Sequence, residues 1–413
     1  MNELNSDIII AGAGPAGATT SLFLCKEKIP HIIIDKAVFP RDKICGDALS
    51  GKVADVLKKL NPSYLHELSN DQKNSLGSYG VKFAAPNGNF VDIPFKENYK
   101  SLPAAPGFIE RRIDFDNWLV NKIDRSYATF VTASLKDVRQ KENHAEITYD
   151  ENGNTKTATC RLLIGSEGSR SLVAKKLASI SKEDNHYCAG LRAYYSGVTG
   201  MHPDNFIELH FLKDLLPGYL WIFPLADGNA NVGVGMLSSH VSKRHINLKK
   251  VMLNSIETNP TIKHRFTNAK MIGDISGWGL PLGSKKRKIS GNNFLLTGDA
   301  ASLIDPFTGE GIGNAMFSGM IAAQHIKNAL AQKSFDEKFL SAYTDEIYDK
   351  LWKELRLSRT LQQLSNNAWL FNLVVNKASK NKRLRNTIMN MFDDVESRSR
   401  LSNPFNYLKL LFR

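Results

Sequence analysis

Two glycine-rich turns nearly 300 residues apart constrain the fold of this chain more than any other feature. Residues 7–17 read DIIIAGAGPAG, and residues 292–313 read NNFLLTGDAASLIDPFTGEGIG. In the first, Ile8, Ile9 and Ile10 make a short buried strand that runs into Gly12-Ala13-Gly14-Pro15-Ala16-Gly17. Gly12 permits a tight turn, Gly14 lets the backbone approach a pyrophosphate, and Gly17 lets the next helix pack on the strand. Pro15 and Ala16 open that helix, whose free N–H groups and dipole point at phosphates. A second apolar run, His31 to Ile34, ends in Asp35, 23 positions after Gly12, where a ribose-binding carboxylate is expected. Lys36 follows it and joins the expected cofactor-binding set.

The second motif supplies what the first lacks. Its apolar strand ends in Gly298-Asp299, and the Asp299 carboxylate suits a ribityl hydroxyl. Gly309, Gly311 and Gly313 then lead into a long apolar helix. Backbone N–H groups near Gly311 and Ile312 would face the N1–C2=O edge of a flavin, where positive dipole stabilises the anionic reduced ring. The first motif alone implies a dinucleotide. The pair implies FAD.

With 413 residues the chain is long enough for two or three domains, and 42% hydrophobic with 23% charged residues fits a globular protein. Its formal net charge is +13, a balance that suits nucleic acid, an anionic membrane or anionic ligands. The excess is uneven. From Trp369 to Arg413 there are nine Lys and Arg against three Asp and Glu. No helix-turn-helix, RNP-like or zinc pattern accompanies the charge, so no nucleic-acid partner is expected. The four cysteines, Cys25, Cys45, Cys160 and Cys188, form no CxxC pair and no disulfide framework, and no metal site is expected. There is neither a signal-like segment nor a membrane-length apolar run. The expectation is a cytoplasmic protein, peripheral to the inner face of the membrane.

Along the chain, residues 7–35 read as a β–α–β unit and 36–48 as a loop, with a helix following to Leu60. Residues 78–95 alternate around a Pro-Asn-Gly turn, which predicts a hairpin. Residues 112–125 read as a helix with Asp114 as its N-cap. Residues 127–164 read as successive strands, 187–237 as an antiparallel sheet, and 247–266 as a helix. Strands return at 271–280 and 293–297, and from Gly311 onward the chain reads as helical. The fold expected is α/β plus α+β: a Rossmann-like FAD-binding domain, an inserted antiparallel substrate sheet and a helical C-terminal tail. The FAD-binding domain takes 1–77, 105–185 and 271–330, the substrate domain 78–104 and 186–270, and the basic helical region 331–413.

Four further segments resemble the geranylgeranyl reductase family of FAD-dependent oxidoreductases, within the aromatic-hydroxylase-like flavoprotein fold. Residues 39–47, FPRDKICGD, are similar to the family's P-R-x-K-x-C-G signature. The resemblance places this loop, with Arg41, Cys45 and Gly46, near the flavin and active site. Residues 217–224, PGYLWIFP, resemble its Y-x-W-x-F-P motif. Tyr219, Trp221 and Phe223 alternate, so they share one face of a strand and would wall a polyprenyl chain. Residues 112–119 resemble its R-x-x-F-D-x-x-L helix start, which implies that Arg112 contacts the flavin pyrophosphate or ribityl region. An arginine fork suits phosphate. Residues 165–170, GSEGSR, stand where the family has G-x-D-G, with Glu167 in place of Asp. Leu135 would place its backbone near the adenine.

The activity this resemblance implies has two halves. NAD(P)H or an external electron-donor protein reduces FAD, since the sequence holds no second nucleotide-binding fold. The reduced flavin then passes hydride to a C=C bond of a polyprenyl lipid or quinone side chain, and a proton completes the saturation. Cys45 and Tyr219 are the candidate proton donors. The apolar cluster Trp369, Leu370, Phe371, Leu373, Val374 and Val375, followed by Lys377, Lys380, Lys382, Arg383 and Arg385, reads either as a packed helix with a charged end or as a membrane-surface contact. Two other readings stand beside this one. A flavin monooxygenase would share every FAD motif, and a halogenase relative would carry W-x-W-x-I-P, from which Tyr219 and Phe223 depart. A basic membrane-surface or nucleic-acid binding protein with a vestigial flavin site would not purify yellow.

Overall fold

The strand Ile8–Ala11 is central to a six-stranded sheet in the computed structural model, which describes residues 4–389. It pairs in parallel with His31–Asp35 on one side and Leu162–Gly165 on the other. Ala128–Thr132 extends the sheet beyond His31–Asp35, and Phe294–Leu296 extends it beyond Leu162–Gly165. Ile8, Ile9, Ile10, Leu162, Leu163 and Ile164 are fully buried, as expected of a parallel sheet covered on both faces. The helix Pro15–Lys26 packs on it, and the helix Ile312–Gln332 packs alongside Pro15–Lys26. Their contact is close because Gly319 has no side chain: a Cβ there would lie 2.4 Å from the Ala16 carbonyl oxygen.

A second sheet has seven strands, in the order Lys270–Pro281, Tyr187–Ser196, Ala230–Leu237, Tyr219–Pro224, Ile207–His210, Gly80–Ala84 and Phe90–Pro94. The Pro-Asn-Gly segment joins the last two strands as a hairpin. Four expectations need correcting. The strand at 271–280, assigned by sequence to the FAD-binding domain, pairs along its length with Tyr187–Ser196 and belongs to the seven-stranded sheet. Residue alternation identifies a strand but not its partner. The sheet is also mixed, since Ile207–His210 runs parallel to Gly80–Ala84. The helix of residues 112–121 starts from Arg111, so Asp114 lies in its first turn and is not its N-cap. The carboxylate still faces the positive end of the dipole. The helical reading of 247–266 breaks into Leu248–Thr258 and a short 3-10 turn, Lys263–Phe266, around Pro260.

Among the described residues, four helices follow the second glycine turn: Ile312–Gln332, Glu337–Leu364, Ala368–Lys380 and Lys382–Met389. The last two lie against the hairpin end of the seven-stranded sheet. Asn372 and Asn376 fasten the first of these two to the turn, accepting hydrogen bonds from Asn87 N at 3.1 Å and Asn89 Nδ2 at 2.7 Å. The remainder of the basic tail, 390–413, lies outside the described residues. Among the described residues no helix is long and apolar enough to cross a membrane.

A small sheet of Ala48–Leu49, Gly107–Glu110 and Ser75–Ser78 joins the two layers. It buries Glu110, whose Oε2 has no hydrogen-bond partner among the described residues. Burial, with Asp71 and Asp114 nearby, pushes its carboxyl up to about 8. Between the unfolded value near 4.5 and that level, the folded chain holds a proton that the unfolded chain has released. Stability contributed at this site therefore falls as pH rises through that window, and is flat above it. Glu110→Gln is expected to stabilise the protein by about 1–2 kcal/mol at pH 8. The gain should vanish near pH 4.5, as read from denaturant midpoints at both pH values.

Candidate functional site

The first glycine turn is built for a phosphate. Gly12 has φ +97°, and a Cβ there would meet the Ser166 carbonyl at 2.5 Å. Gly17 packs so tightly that a Cβ would lie 1.8 Å from the Gly12 oxygen. Gly14 differs. Among the described residues beyond its chain neighbours, the atom that its missing Cβ would meet is Arg41 Nη2, at 3.6 Å. Among the described residues no side chain caps the helix that Pro15 begins, so its first N–H groups are open to an anion. Asp35 accepts hydrogen bonds from Ala13 N at 2.7 Å and Ala37 N at 2.8 Å. It thus braces the turn while lining the cavity beside Lys36.

Two arginines face this turn from other elements. Asp116, with a wholly buried side chain, accepts from Arg112 through Nε and Nη2, both at 2.7 Å, and from Arg41 Nη1 at 2.5 Å. The carboxylate fixes both forks and leaves one net positive charge, which suits a diphosphate. Leu135 lines the same cavity at a bulge in the strand Ser134–Gln140. Glu167 has a structural part to play. It accepts from Ser171 Oγ at 2.6 Å and from Leu172 N and Val173 N at 3.0 Å, and so caps the helix Leu172–Leu177.

The second glycine turn closes the far side. Asp299 lines the cavity, and burial pushes its carboxyl up, opposed by Lys43 and Arg112. Gly309, Gly311 and Ile312 line it next to the start of the long helix. Asp305 shapes this loop by accepting from Phe307 N at 2.9 Å, Thr308 N at 2.8 Å and Ser358 Oγ at 2.5 Å. Sequence reasoning passed over Asp305, although the D-P-F-T-G run is a turn signal. These residues fit FAD. A glycine cradle, an uncapped helix start and a fixed arginine pair meet one cavity of about 1130 Å³, which continues past Asp299 over the seven-stranded sheet.

The floor of that extension comes from cross-strand rows. Trp278, Gly190, Gly235 and Tyr219 lie in register across four strands. Arg192, Gly233, Trp221, Leu209, Phe83 and Val91 make the next row. Gly233 is required because Trp221 lies over it: a Cβ would sit 2.2 Å from Trp221 Cζ2. Tyr219, Trp221 and Phe223 all point into the cavity, while Leu220 and Ile222 pack into the core behind the sheet. Leu370, Phe371, Val374 and Val375 form the roof.

The loop bearing Cys45 and Gly46 rests on this floor. A Cβ on Gly46 would lie 3.0 Å from Phe223 Cε2. Asp47, fully buried at φ +68°, fixes the loop. It accepts from Tyr194 OH at 2.8 Å and Asn231 Nδ2 at 2.7 Å. Asn231 also donates to the Cys45 carbonyl at 2.8 Å and accepts from Trp221 Nε1 at 2.8 Å. One buried amide therefore ties the loop to the aromatic strand. Burial pushes Asp47 up to about 6 against these hydrogen bonds. Asp47 stands in the quoted loop, but Asn231 left no signal in the sequence.

The two donor candidates differ. Burial pushes the Cys45 thiol up, opposed by Arg112, so it stays protonated at neutral pH. The Tyr219 hydroxyl donates to the Thr308 carbonyl at 2.5 Å, which ties the aromatic strand to the second glycine loop and commits its proton. Tyr219→Phe is therefore expected to lose about 1 kcal/mol of stability and less than about tenfold in turnover. A loss of about 10²–10⁴-fold in turnover would identify it as a general acid.

The family model for the geranylgeranyl reductase catalytic domain matches residues 190–275, the strands that form much of the floor. Menaquinone reductase of Mycobacterium tuberculosis is 30% identical over 329 residues, 78% of this chain and 76% of that protein. Digeranylgeranylglycerophospholipid reductase of Methanococcus vannielii is 26% identical over 373 residues, 88% of this chain and 89% of that protein. Among solved structures, a geranylgeranyl bacteriochlorophyll reductase-like protein from Thermoplasma acidophilum superposes with a TM-score of 0.79 at 22% identity, covering 92% of this chain and 93% of that one.

Proposed function

The chain belongs to the geranylgeranyl reductase family of FAD-dependent oxidoreductases, and from that premise we propose that it saturates C=C bonds of a polyprenyl lipid or quinone side chain. One observation carries the reading: the cavity that holds the flavin cradle continues into an apolar arm. From Trp221 through Leu209 and Phe83 to Val91 the floor crosses three strand spacings, ~14 Å. Phe371, Val374 and Leu384 roof it. A prenyl chain matches that shape and chemistry, and burial of its carbon surface is the driving force.

In this reading FAD, when bound, supplies hydride chemistry, with NAD(P)H as the proposed reductant. The chain's own residues do the rest. Gly12, Gly14 and the helix start at Pro15 hold the diphosphate with Arg41 and Arg112, and Asp299 holds the ribityl chain. Trp221 and Phe223 press the substrate toward the Cys45–Gly46 loop, and the apolar roof of Leu370, Phe371 and Val374 limits contact with water. Packing of this kind matters because an isolated alkene accepts hydride poorly. Cys45 keeps a proton at that loop, with its sulfur beside the Arg112 guanidinium, and is the donor candidate this reading favours.

Membrane contact is part of the same proposal. Trp369 is 67% exposed, and Lys380, Lys382 and Arg383 are exposed on the outer side of the roof helices. Exposed aromatic and basic groups together suit an anionic lipid surface. Turnover under ¹⁸O₂ separates reductase from monooxygenase. The reductase yields a product that has gained hydrogen and carries no label, whereas a hydroxylated, labelled product would overturn the reading.

A further inference from the structure

Lys43 lies two residues before Cys45, and its side chain faces the cavity rather than bulk water. Its Nζ stands 3.9 Å from the centroid of the Trp278 ring. Arg41 and Arg112 share the Asp116 carboxylate, but among the described residues no carboxylate lies within ion-pair distance of Lys43. Its strongest electrostatic counterpart is Asp299, which also lines the cavity, and Asp299 in turn feels Lys43 more than any other charge. Arg112, Cys45 and Arg41 are the next strongest charged or titratable groups acting on it, and Arg170 shares the Trp278 ring at 4.9 Å. Burial draws the ammonium down to about 8, so it remains mostly charged at neutral pH. Such a cation, partly desolvated and without a contacting anion, is costly unless a ligand uses it.

We propose that Lys43 is the cation that faces the reacting ring of the bound flavin and pairs with the negative charge this ring gains on reduction. The inference rests on the FAD reading above. Two electrons and one proton, delivered as hydride by a nicotinamide-class donor, convert the neutral oxidised ring to a monoanion. A nearby ammonium favours the charged product over the neutral reactant. The start of the long helix at Ile312 acts in the same direction, but its partial charge is fixed, whereas the charge on Lys43 can be removed by substitution.

The test is the midpoint potential of the FAD-loaded full chain, read anaerobically against a reference dye. Lys43→Met is expected to lower the ratio of reduced to oxidised flavin at fixed potential by about tenfold, ~30 mV for a two-electron couple. Lys43→Arg should stay near the parent. A Lys43→Met protein that binds FAD and keeps the parent potential overturns the inference. If Lys43→Met and Lys43→Gln both fail to hold FAD, the parent protein decides by its pH profile. Its potential should fall more steeply with pH once Lys43 loses its proton above about 8, and a uniform slope overturns the inference. A parent protein that binds no FAD is a different result, because it removes the cofactor reading itself.

Discussion

Gly14→Val is expected to yield a folded, colourless protein. The three glycines of the first turn are not equivalent. Gly12 needs its positive φ and has no room for a Cβ, and Gly17 is in contact with the Gly12 oxygen. Substituting either should damage the fold. Gly14 has φ −68°, which any residue adopts, and a Cβ there meets only a flexible arginine end at 3.6 Å. The space it leaves is the approach to the helix start, so a branched side chain would fill the place of the diphosphate. FAD affinity should fall by at least about a thousandfold, ~4 kcal/mol. The melting temperature of the cofactor-free protein should move by no more than about 2 °C. Visible absorbance and calorimetric FAD titration read the first effect, and thermal melts of stripped protein read the second. A Gly14→Val protein that retains stoichiometric FAD would place the cofactor elsewhere.

Val374→Asp is expected to impair the prenyl half-reaction selectively. Val374 lines the roof, well along the chain from every cofactor-facing residue, and is only half buried, so the helix should tolerate a carboxylate. In the cavity that carboxylate would lie against substrate carbon. Burying it without a partner costs about 2–3 kcal/mol, equivalent to a fall of about 30–150-fold in kcat/KM for a polyprenyl substrate. Reduction of the flavin by dithionite and its reoxidation by ferricyanide should be unchanged. Equal loss in both assays would mean that the roof supports the flavin site and not the substrate arm.

What the sequence conveyed and what it did not have physical reasons. The β–α–β unit was legible because a buried parallel strand, a glycine turn and an acidic strand end occupy one continuous stretch, and local sterics dictate each. The aromatic face of Tyr219, Trp221 and Phe223 followed from strand alternation alone. Long-range pairings were not legible. Nothing local indicates that Lys270–Pro281 joins the seven-stranded sheet, or that Asn231 ties the Cys45 carbonyl to Trp221. Asp116 stands in a motif that resembles the family's, yet its work is to fix two arginines that lie 71 residues apart, Arg41 and Arg112. The apolar cluster that begins at Trp369 suited packing and membrane contact equally by composition. In the structure it divides, with Leu370, Phe371, Val374 and Val375 facing the cavity while Trp369 stays outside.

The tie between the Cys45 loop and the aromatic strand also explains how a cavity this large keeps a defined wall. Asp47 and Asn231 satisfy one another inside the protein, and fully satisfied buried networks are rigid. The Cys45 loop and the aromatic strand are thereby held as one unit.

The central claim is that reduced flavin in this cavity meets an alkene. The most direct test is a single anaerobic turnover. The FAD-loaded protein is reduced with one equivalent of dithionite and mixed with geranylgeranyl diphosphate, a substrate that has no quinone ring to oxidise flavin by itself. The account predicts that the oxidised absorbance returns without oxygen and that a product with one double bond fewer appears in matching amount. Flavin that stays reduced until air is admitted, with the diphosphate and a menaquinone both recovered unsaturated, would contradict it.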